Sequence, residues 1–228
     1  MCGRITLTSK PPHLQGLEAP RHFELWPGPR YNIAPTESVA TILNDGTSTV
    51  RETRWGLVPS WAKEISAGNL MFNARSETLT EKPAFKRPFR KQRCVILADG
   101  FYEWQAIPDE RRKRPIYIRL KSREVFGLAG LWDTWQQADG TPLIASTVIT
   151  TTPNELMATV HNRMPVILAA QTLPTWLSMN AVPDSDLMAC LRQYPDGEME
   201  MYPVSTAVNK SGHNDPECVA PIEGREMR

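Results

Sequence analysis

Short runs of apolar and β-branched residues recur along the chain and predict a fold dominated by β-strands. Each run is bounded by turn-forming residues, which is typical of strands. The runs lie at residues 38–43, 50–57, 94–104, 115–120, 125–132 and 143–150. Asn44-Asp45-Gly46 and Ala138-Asp139-Gly140 separate neighbouring runs. Such turns suit tight hairpins, so we expect much of the sheet to be antiparallel.

Helical patterns are fewer and shorter than the strand patterns. Thr152 to Glu155 has the spacing of a capping box, with Thr152 as the N-cap and Glu155 at the third helical position. This helix would deliver His161 at its end. Further helices are predicted over residues 83–91, 173–179 and 185–193, and the polar stretch after Asn209 is expected to be a loosely ordered tail.

These patterns favour one α+β domain over residues 1–228, of which about 210–228 form a polar C-terminal tail. Hydrophobic residues make up 41% of the 228 positions and charged residues 22%, as in ordinary globular proteins. The apolar runs are too short to span a bilayer and no secretory signal precedes them, so we expect a cytoplasmic protein without membrane contacts. The net charge of +1 means that any nucleic-acid binding must come from a local basic patch.

The four cysteines are scattered, with no CxxC pair and no histidine at ligand spacing. This argues against a zinc site and against a disulfide framework, and we predict no metal and no other cofactor. The cysteines are Cys2, Cys94, Cys190 and Cys218. Apart from Cys2, they need no role beyond that of small buried side chains.

Cys2 follows the initiator methionine, and its small size makes removal of Met1 expected. The freed residue would carry an amine and a thiol on adjacent carbons. An α-amine has a reference pKa of about 8, so part of it is neutral near pH 7. Such a pair can condense with an aldehyde to an imine and then close to a durable thiazolidine. Without other indications, an ordinary cysteine at position 2 would be the simpler interpretation.

Several motifs combine residue types that an ordinary core does not require. Asn73 and Arg75 could orient a reacting group and grip a phosphate. In the segment 99–104, strand alternation puts Phe101 and Glu103 on one face and the neighbouring aromatic residues on the other. Glu103 is therefore a candidate acid or base, although a surface salt bridge would also account for it.

His161 is predicted to lie in a loop, where it could reach a pocket and exchange protons near neutral pH, although a lone histidine is more often structural. Aromatic and basic residues interleave at 30–32 and 54–61, as expected of a surface that stacks bases and contacts a single strand. Trp55 could equally belong to the core. The densest basic run, residues 82–93, is explained as readily by a solvated helix face as by a phosphate track.

Together these segments resemble the SRAP family, the SOS-response-associated peptidases or abasic-site-processing proteins. The resemblance extends through nearly the whole chain, and its motifs occur in one order. Its motifs are MCGR at 1–4, RYNIAP at 30–35, WGLVPSWA at 55–62, NARSET at 73–78, DGFYEW at 99–104, VHNRMPVIL at 160–168 and VSTAVN at 204–209.

The resemblance implies a distorted antiparallel β-barrel flanked by short helices, and a monomer that binds single-stranded DNA containing abasic sites. On the matching positions, Cys2 would be the nucleophile and Asn73 would orient the amine or the sugar. Glu103 would assist proton transfer, and His161 would help to open the sugar ring and support reversal. The implied DNA contacts are Arg4, Asn32, Trp55, Trp61, Arg75 and Arg163.

The implied function is to sense and shield abasic sites through a covalent thiazolidine crosslink, with lyase-type chemistry, in a protein associated with the nucleoid when bound to DNA. Two alternatives remain. One is an N-terminal-nucleophile cysteine peptidase, including self-removal of Met1, and the other is a non-covalent reader of modified bases. The three hypotheses differ in the substrate that they require. Crosslinking requires an abasic aldehyde, peptidase activity requires a peptide, and a reader requires an intact base.

Overall fold

Twelve β-strands and four short α-helices make up the part of the chain that the computed structural model describes, which is residues 2–9, 28–47, 49–65, 71–108 and 111–222. The strands are β1 (Ile5–Leu7), β2 (Arg30–Ile33), β3 (Ser38–Leu43), β4 (Val50–Trp55), β5 (Asn73–Arg75), β6 (Arg93–Ala98), β7 (Gly100–Gln105), β8 (Arg114–Leu120), β9 (Phe126–Gln136), β10 (Pro142–Thr151), β11 (Met164–Pro165) and β12 (Met199–Pro203). The helices are α1 (Pro83–Lys91), α2 (Glu155–Ala158), α3 (Leu173–Trp176) and α4 (Asp184–Ala189).

The strands form two sheets, and the larger sheet closes on itself. A five-stranded antiparallel sheet has the order β12-β8-β7-β1-β2. The seven-stranded sheet has the order β11-β10-β4-β3-β6-β9, with β5 added alongside β10, and β9 pairs back onto β10. Closure of this sheet confirms the predicted barrel-like α+β fold flanked by short helices. The antiparallel pattern has two exceptions, since β10 runs parallel to β4 and to β5.

The main hydrophobic core contains buried residues from both sheets. Every residue of β6 is buried, as expected for a strand covered on both faces. Alternation along β7 divides its side chains as predicted: Phe101 belongs to the main core, whereas Tyr102 packs with Tyr117 in a second cluster on the other face.

The predicted loose tail is corrected by this second cluster. Pro216–Val219 forms a 3-10 turn, and the fully buried Cys218 packs against Tyr102 and Val208. The composition of the segment is polar because Cys218 is the only buried residue among residues 210–222. A polar composition therefore did not indicate this packing. Residues 223–228 lie outside the described part.

Three element predictions are also corrected. The run 94–104 is two strands, β6 and β7, which belong to different sheets and meet at Asp99. The N-cap of α2 is Asn154 rather than Thr152, because the Asn154 side chain accepts the hydrogen bond from the Met157 amide at 2.9 Å. Helices α3 and α4 are shorter than predicted. Within the described residues, no helix has the length and apolar character needed to cross a bilayer.

Candidate active site

Cys2 lies just before β1 and is fully buried. Strand β1 pairs with β7, with Ile5 opposite Phe101, and the Tyr102 amide donates to the Arg4 carbonyl at 3.0 Å. This antiparallel register brings the start of the chain alongside Glu103. Burial raises the pKa of the Cys2 thiol, and the nearby Glu103 carboxylate raises it further. The thiol is therefore protonated at neutral pH.

Asp99 anchors the strand that carries Cys2. Its two carboxylate oxygens accept hydrogen bonds from the Thr6 hydroxyl at 2.6 Å, from the Thr8 hydroxyl at 2.7 Å and from the Thr8 amide at 2.6 Å. A Cβ at the adjacent Gly100 would collide with the hydroxyl of Tyr117, which also contacts Thr6. Asp99-Gly100 thus fixes β1 against β7, although the sequence analysis assigned neither residue a role.

Asn73 contacts Cys2 directly. It opens β5, which runs parallel to β10 with Asn73 opposite Val148. The Asn73 side-chain Nδ2 donates a hydrogen bond of 2.8 Å to the Cys2 carbonyl. The Oδ1 of the same amide is buried and has no hydrogen-bond partner in the described structure. A buried amide oxygen without a partner is costly, so this atom can accept a bond from an arriving donor.

Glu103 is buried in β7 and lies close enough to Cys2 to influence its thiol. Burial raises the pKa of the Glu103 carboxyl, and the electrostatic interaction with His161 opposes part of that rise. A carboxyl whose pKa is shifted upwards can donate and accept protons closer to neutral pH than an exposed glutamate can. A surface salt bridge, the alternative considered for Glu103, does not fit this burial.

His161 follows α2, and the His161 amide bonds to the Met157 carbonyl at 2.9 Å. Its Nδ1 accepts a hydrogen bond of 3.0 Å from the Arg163 amide, so the neutral ring carries its proton on Nε2. The loop also contacts β7, because Gln105 Nε2 donates to the Thr159 carbonyl at 3.1 Å. Elements distant in sequence therefore bring His161 to Glu103.

Arg163 ties this loop to the segment after β5. Its guanidinium makes a two-pronged pair with Glu77, at 2.6 and 2.9 Å, and bonds to the Thr150 carbonyl at 2.6 Å. The side chain is only 13% exposed. Arg163 is thus engaged as a tether between the His161 loop and the Asn73 strand. A DNA phosphate could contact it only in competition with Glu77.

Asn32 is corrected from a DNA contact to a structural residue. It is 3% exposed, and its Nδ2 donates to the carbonyls of Val208, Lys210 and His213. Arg4 donates to Asn32 Oδ1 at 2.7 Å. Buried backbone carbonyls need hydrogen-bond donors, and Asn32 supplies them to the C-terminal segment. These bonds hold that segment against β2.

Arg4 is half-buried as well as bonded to Asn32. It donates to the Val208 carbonyl at 3.0 Å and lies over the Trp104 ring, 5.8 Å from its centroid. Burial lowers the pKa of its guanidinium. Arg4 therefore fastens the segment beside Cys2, whereas Arg75 at the end of β5 is exposed, so Arg75 remains a candidate for phosphate contact.

The two tryptophans of the WGLVPSWA motif differ. Trp55 is fully buried and donates to the Phe72 carbonyl at 2.9 Å, so its assignment as a DNA contact is corrected to a core role. Trp61 is 67% exposed. Its loop is fixed on both sides, because the Ser60 amide donates to Asp133 Oδ2 and Trp135 Nε1 donates to the Ala62 carbonyl.

Trp61 also borders a cavity of about 120 Å³ beside the segment that enters β5, lined by residues that include Arg54, Leu57 and Met71. The cavity also contains the carboxylate of Glu64, so the exposed indole and not a net positive charge is its main feature. The basic run at 82–93 is different, because Arg93 is buried and Arg90 pairs with Asp184 at 2.6 Å. The phosphate-track interpretation gains no support there.

The functional residues missed by sequence reasoning are Asp99 and Glu77. Both lie inside motifs that the sequence analysis quoted, but their partners are far away in sequence. Asp99 stands before a glycine and Glu77 among polar residues, so both were expected to be solvent-exposed, and no local spacing indicates a partner such as Thr6 or Arg163.

Comparison with known proteins agrees with this architecture. A family model described as SOS response associated peptidase (SRAP) matches residues 1–211. The chain is 42% identical over 224 residues to the abasic site processing protein YoqW of Bacillus subtilis, covering 96% of this chain and 99% of that protein. It is 33% identical over 265 residues to the abasic site processing protein HMCES of Xenopus tropicalis, covering 97% and 78%.

Among solved structures, a protein from Bacteroides thetaiotaomicron superimposes with a TM-score of 0.77 at 27% identity, covering 85% of this chain and 86% of that one. A protein from Bordetella bronchiseptica gives a TM-score of 0.76 at 25% identity, covering 90% and 100%. With the family model and the relatives covering nearly its whole length, the chain belongs to the SRAP family.

Proposed function

We propose that the chain senses abasic sites in single-stranded DNA and shields them through a covalent bond to Cys2, after Met1 has been removed. The observation that carries this proposal is the cluster around Cys2: Asn73 bonds to its carbonyl, and Glu103 interacts electrostatically with both its thiol and His161. Relatives named abasic site processing proteins support the substrate class.

The chemistry begins at the α-amine of Cys2. Burial disfavours the thiolate, whereas part of an α-amine is neutral near pH 7, so the amine would be the first nucleophile. It adds to the C1 aldehyde of the ring-opened sugar, and loss of one water gives an imine. Addition of the thiol across the C=N bond then closes a five-membered thiazolidine, with the thiol proton transferred to the nitrogen. Two nucleophilic atoms on adjacent carbons make this closure fast.

The neighbouring side chains supply positioning and proton transfer. The free Oδ1 of Asn73 would accept a hydrogen bond from the Cys2 amine or from a sugar hydroxyl. Glu103, with its raised pKa, would take the proton from the attacking amine and return one to the departing water. His161, protonated on Nε2, would donate to the sugar ring oxygen during ring opening and act again in reversal.

The DNA strand would approach along the exposed Trp61 and Arg75. Trp61 would stack a base next to the lesion, and Arg75 would pair with a phosphate. An abasic sugar in a single strand reaches a buried cysteine without the cost of unpairing a duplex. We expect a monomer to suffice, because all four residues of the cluster come from one chain.

Intact mass spectrometry tests the proposal directly. Protein that has lost Met1 is mixed with a single-stranded oligonucleotide bearing one abasic site, and an adduct that survives denaturant and has lost one water is expected. Cys2→Ala and a form with a residue retained before Cys2 should give no such stable adduct. In the retained form the nitrogen is an amide, whose lone pair is delocalised into the carbonyl. A stable adduct of undiminished yield with either form would refute the thiazolidine.

The same cluster supports a second activity, self-removal of Met1. The Cys2 thiol lies next to the peptide bond that joins it to Met1, and Glu103 could act as the proton acceptor. Cell-free synthesis with methionine aminopeptidase inhibited checks this. Loss of Met1 from the wild type but not from Glu103→Gln would establish self-processing, and retention in both would assign removal to the aminopeptidase. A reader of modified bases would instead bind intact DNA tightly and form no adduct.

A further inference from the structure

The β7–β8 hairpin ends in a cluster of cations that the proposed chemistry does not use. Arg111, Arg112 and Lys113 are exposed, and Arg114, the first residue of β8, is partly buried. Within the described part of the chain, none of these four side chains pairs with a carboxylate. Asp109 and Glu110 precede them in sequence, which leaves residues 109–114 with a net charge of +2. We refer to residues 111–114 as the basic tip.

Several other arginines pair with carboxylates, whereas no ion pair of the basic tip is found among the described residues. Arg51 pairs with Asp45 at 3.0 Å, Arg119 with Glu200 at 2.7 Å, and Arg90 with Asp184 at 2.6 Å. Holding several like charges close together costs free energy, and part of this cost is recovered when a polyanion binds. The whole chain carries only +1, so its field does not attract DNA, whereas a local cluster does.

The position of the basic tip follows from the register of the hairpin. Arg114 lies opposite Gln105, and Gln105 is two residues beyond Glu103 on the same face of β7. Two steps along a strand span about 7 Å. Gln105 also donates to the Thr159 carbonyl, so the hairpin leaves the core beside the loop that carries His161. The basic tip therefore begins close to Glu103 and to the loop that carries His161.

We infer that the basic tip is a second DNA-binding surface, which contacts phosphates on one flank of the abasic site, about two to three nucleotides away along the single strand. This inference rests on the proposed function. Trp61 would hold the strand by stacking, and the basic tip would hold it by charge. Together these two contacts would keep the abasic site next to Cys2.

The chain supplies a matched control at the other end of β8. Lys121 and Arg123 are exposed and lie roughly 20 Å away along the strand, beyond the Debye length of about 10 Å. The test compares Arg111→Gln/Arg112→Gln with Lys121→Gln/Arg123→Gln, since both double variants remove two positive charges. Binding to an intact single-stranded oligonucleotide is measured by fluorescence anisotropy over a salt series.

The tip variant should reduce the magnitude of the salt slope of log K by about 1.4, which is two phosphate contacts at ~0.7 each, and weaken binding on the order of tenfold at low salt. The control should match the wild type. Equal effects of the two double variants, or no effect of either, would overturn the inference.

Oligonucleotides with one abasic site locate the contact and separate this inference from the proposed function. One flank is lengthened from one to six nucleotides, on each side in turn, and the rate of adduct formation is measured at limiting protein. For the wild type, the rate of adduct formation should rise when one of the two flanks becomes longer than two nucleotides. For the tip variant, this rise should be absent. The same acceleration in the tip variant contradicts the basic tip as a binding surface. Absence of any adduct with the wild type contradicts the proposed function instead.

Discussion

The side-chain amide of Asn73 donates a hydrogen bond of 2.8 Å to the main-chain carbonyl of Cys2, across 71 positions of sequence. This bond joins the edge of the seven-stranded sheet to the residue that precedes the five-stranded sheet. It fixes the main chain of Cys2, so the direction of the Cys2 amine is determined by both sheets. The Cys2 amine is therefore positioned by the fold, although it lies at the end of the processed chain.

Asn73→Asp and Asn73→Ala both remove the donor to the Cys2 carbonyl. Loss of this hydrogen bond costs about 1–3 kcal/mol, so the rate of adduct formation should fall roughly tenfold or more, with a larger drop for the aspartate because it places a negative charge against the Cys2 carbonyl. Single-turnover kinetics on gels measure this rate. Asn180→Asp, at an exposed position, is the control. An unchanged rate in Asn73→Ala would remove Asn73 from the mechanism.

Glu103 should cost the protein stability at neutral pH. Its folded-state pKa is raised, so the folded protein binds the proton more tightly than the unfolded chain. Stability is therefore largest below the unfolded pKa and is lost as the pH rises through the folded value. Glu103→Gln removes this loss. The difference in melting temperature between Glu103→Gln and the wild type should therefore grow in favour of the variant as the pH is raised from 5 to 8. Each kcal/mol of recovered unfolding free energy corresponds to about 2–4 °C.

The same variant should lose activity, because glutamine neither takes nor returns a proton. The rate of adduct formation should fall by about 10²-fold or more in Glu103→Gln. A variant more stable and less active than the wild type identifies a functional residue, whereas a residue that merely holds the fold would lose both. Equal melting temperatures of the two proteins at all pH values would show that Glu103 is not buried with a raised pKa.

Asp99 should matter for stability more than any surface carboxylate. Asp99→Ala leaves the Thr8 amide and two hydroxyls without their acceptor, and we expect a loss of about 2–4 kcal/mol in the free energy of unfolding. Urea denaturation measures it. Asp139→Ala, which removes a carboxylate at an exposed turn, should change the free energy by much less. A small effect at Asp99 would show that β1 is held by its strand pairing alone.

Much of this architecture could be predicted from local pattern, since strand periodicity identified six strand-forming runs and placed Phe101 and Glu103 on one face. The predictions that the structure corrects share a physical cause. In each case the residues that determine the structure lie far away in sequence. Trp55 is an aromatic residue in a strand, and only the layer packed over it decides that it is buried. The run 94–104 is interrupted only by Asp99-Gly100, and this short interruption does not show that the two halves belong to different sheets.

The candidate site illustrates the same limit. The convergence of Cys2, Asn73, Glu103 and His161 was expected from the resemblance and not from spacing, because four separate elements contribute one residue each. Asn154 and Thr152 both suit an N-cap, and the choice between them depends on which side chain reaches the Met157 amide. Glu77 gave no local signal, because its partner Arg163 follows 86 positions later.

The Arg163–Glu77 pair should act as a tether for the His161 loop rather than as a phosphate contact. Arg163→Gln and Glu77→Gln should then slow adduct formation to a similar extent, and the double variant should be little worse than either, because the second change removes nothing further. The salt slope of binding should stay constant in all three. If Arg163 instead contacts a phosphate, Arg163→Gln alone would reduce that slope by about 0.7.

Trp61 should contribute binding energy without contributing stability. Its indole is 67% exposed, so Trp61→Ala uncovers little core, whereas stacking of a base on an aromatic ring is worth about 1–3 kcal/mol. The Kd for single-stranded DNA should rise roughly 5- to 150-fold while the midpoint of urea unfolding stays the same. Met179→Ala is the matched control, because Met179 is 68% exposed and belongs to the segment between α3 and α4. Trp61→Phe should recover most of the affinity, since it keeps an aromatic face. If alanine at position 61 binds as tightly as the wild type, or if Met179→Ala weakens binding equally, then the indole does not stack on DNA, and Arg75 and the basic tip remain as the surfaces that hold the strand.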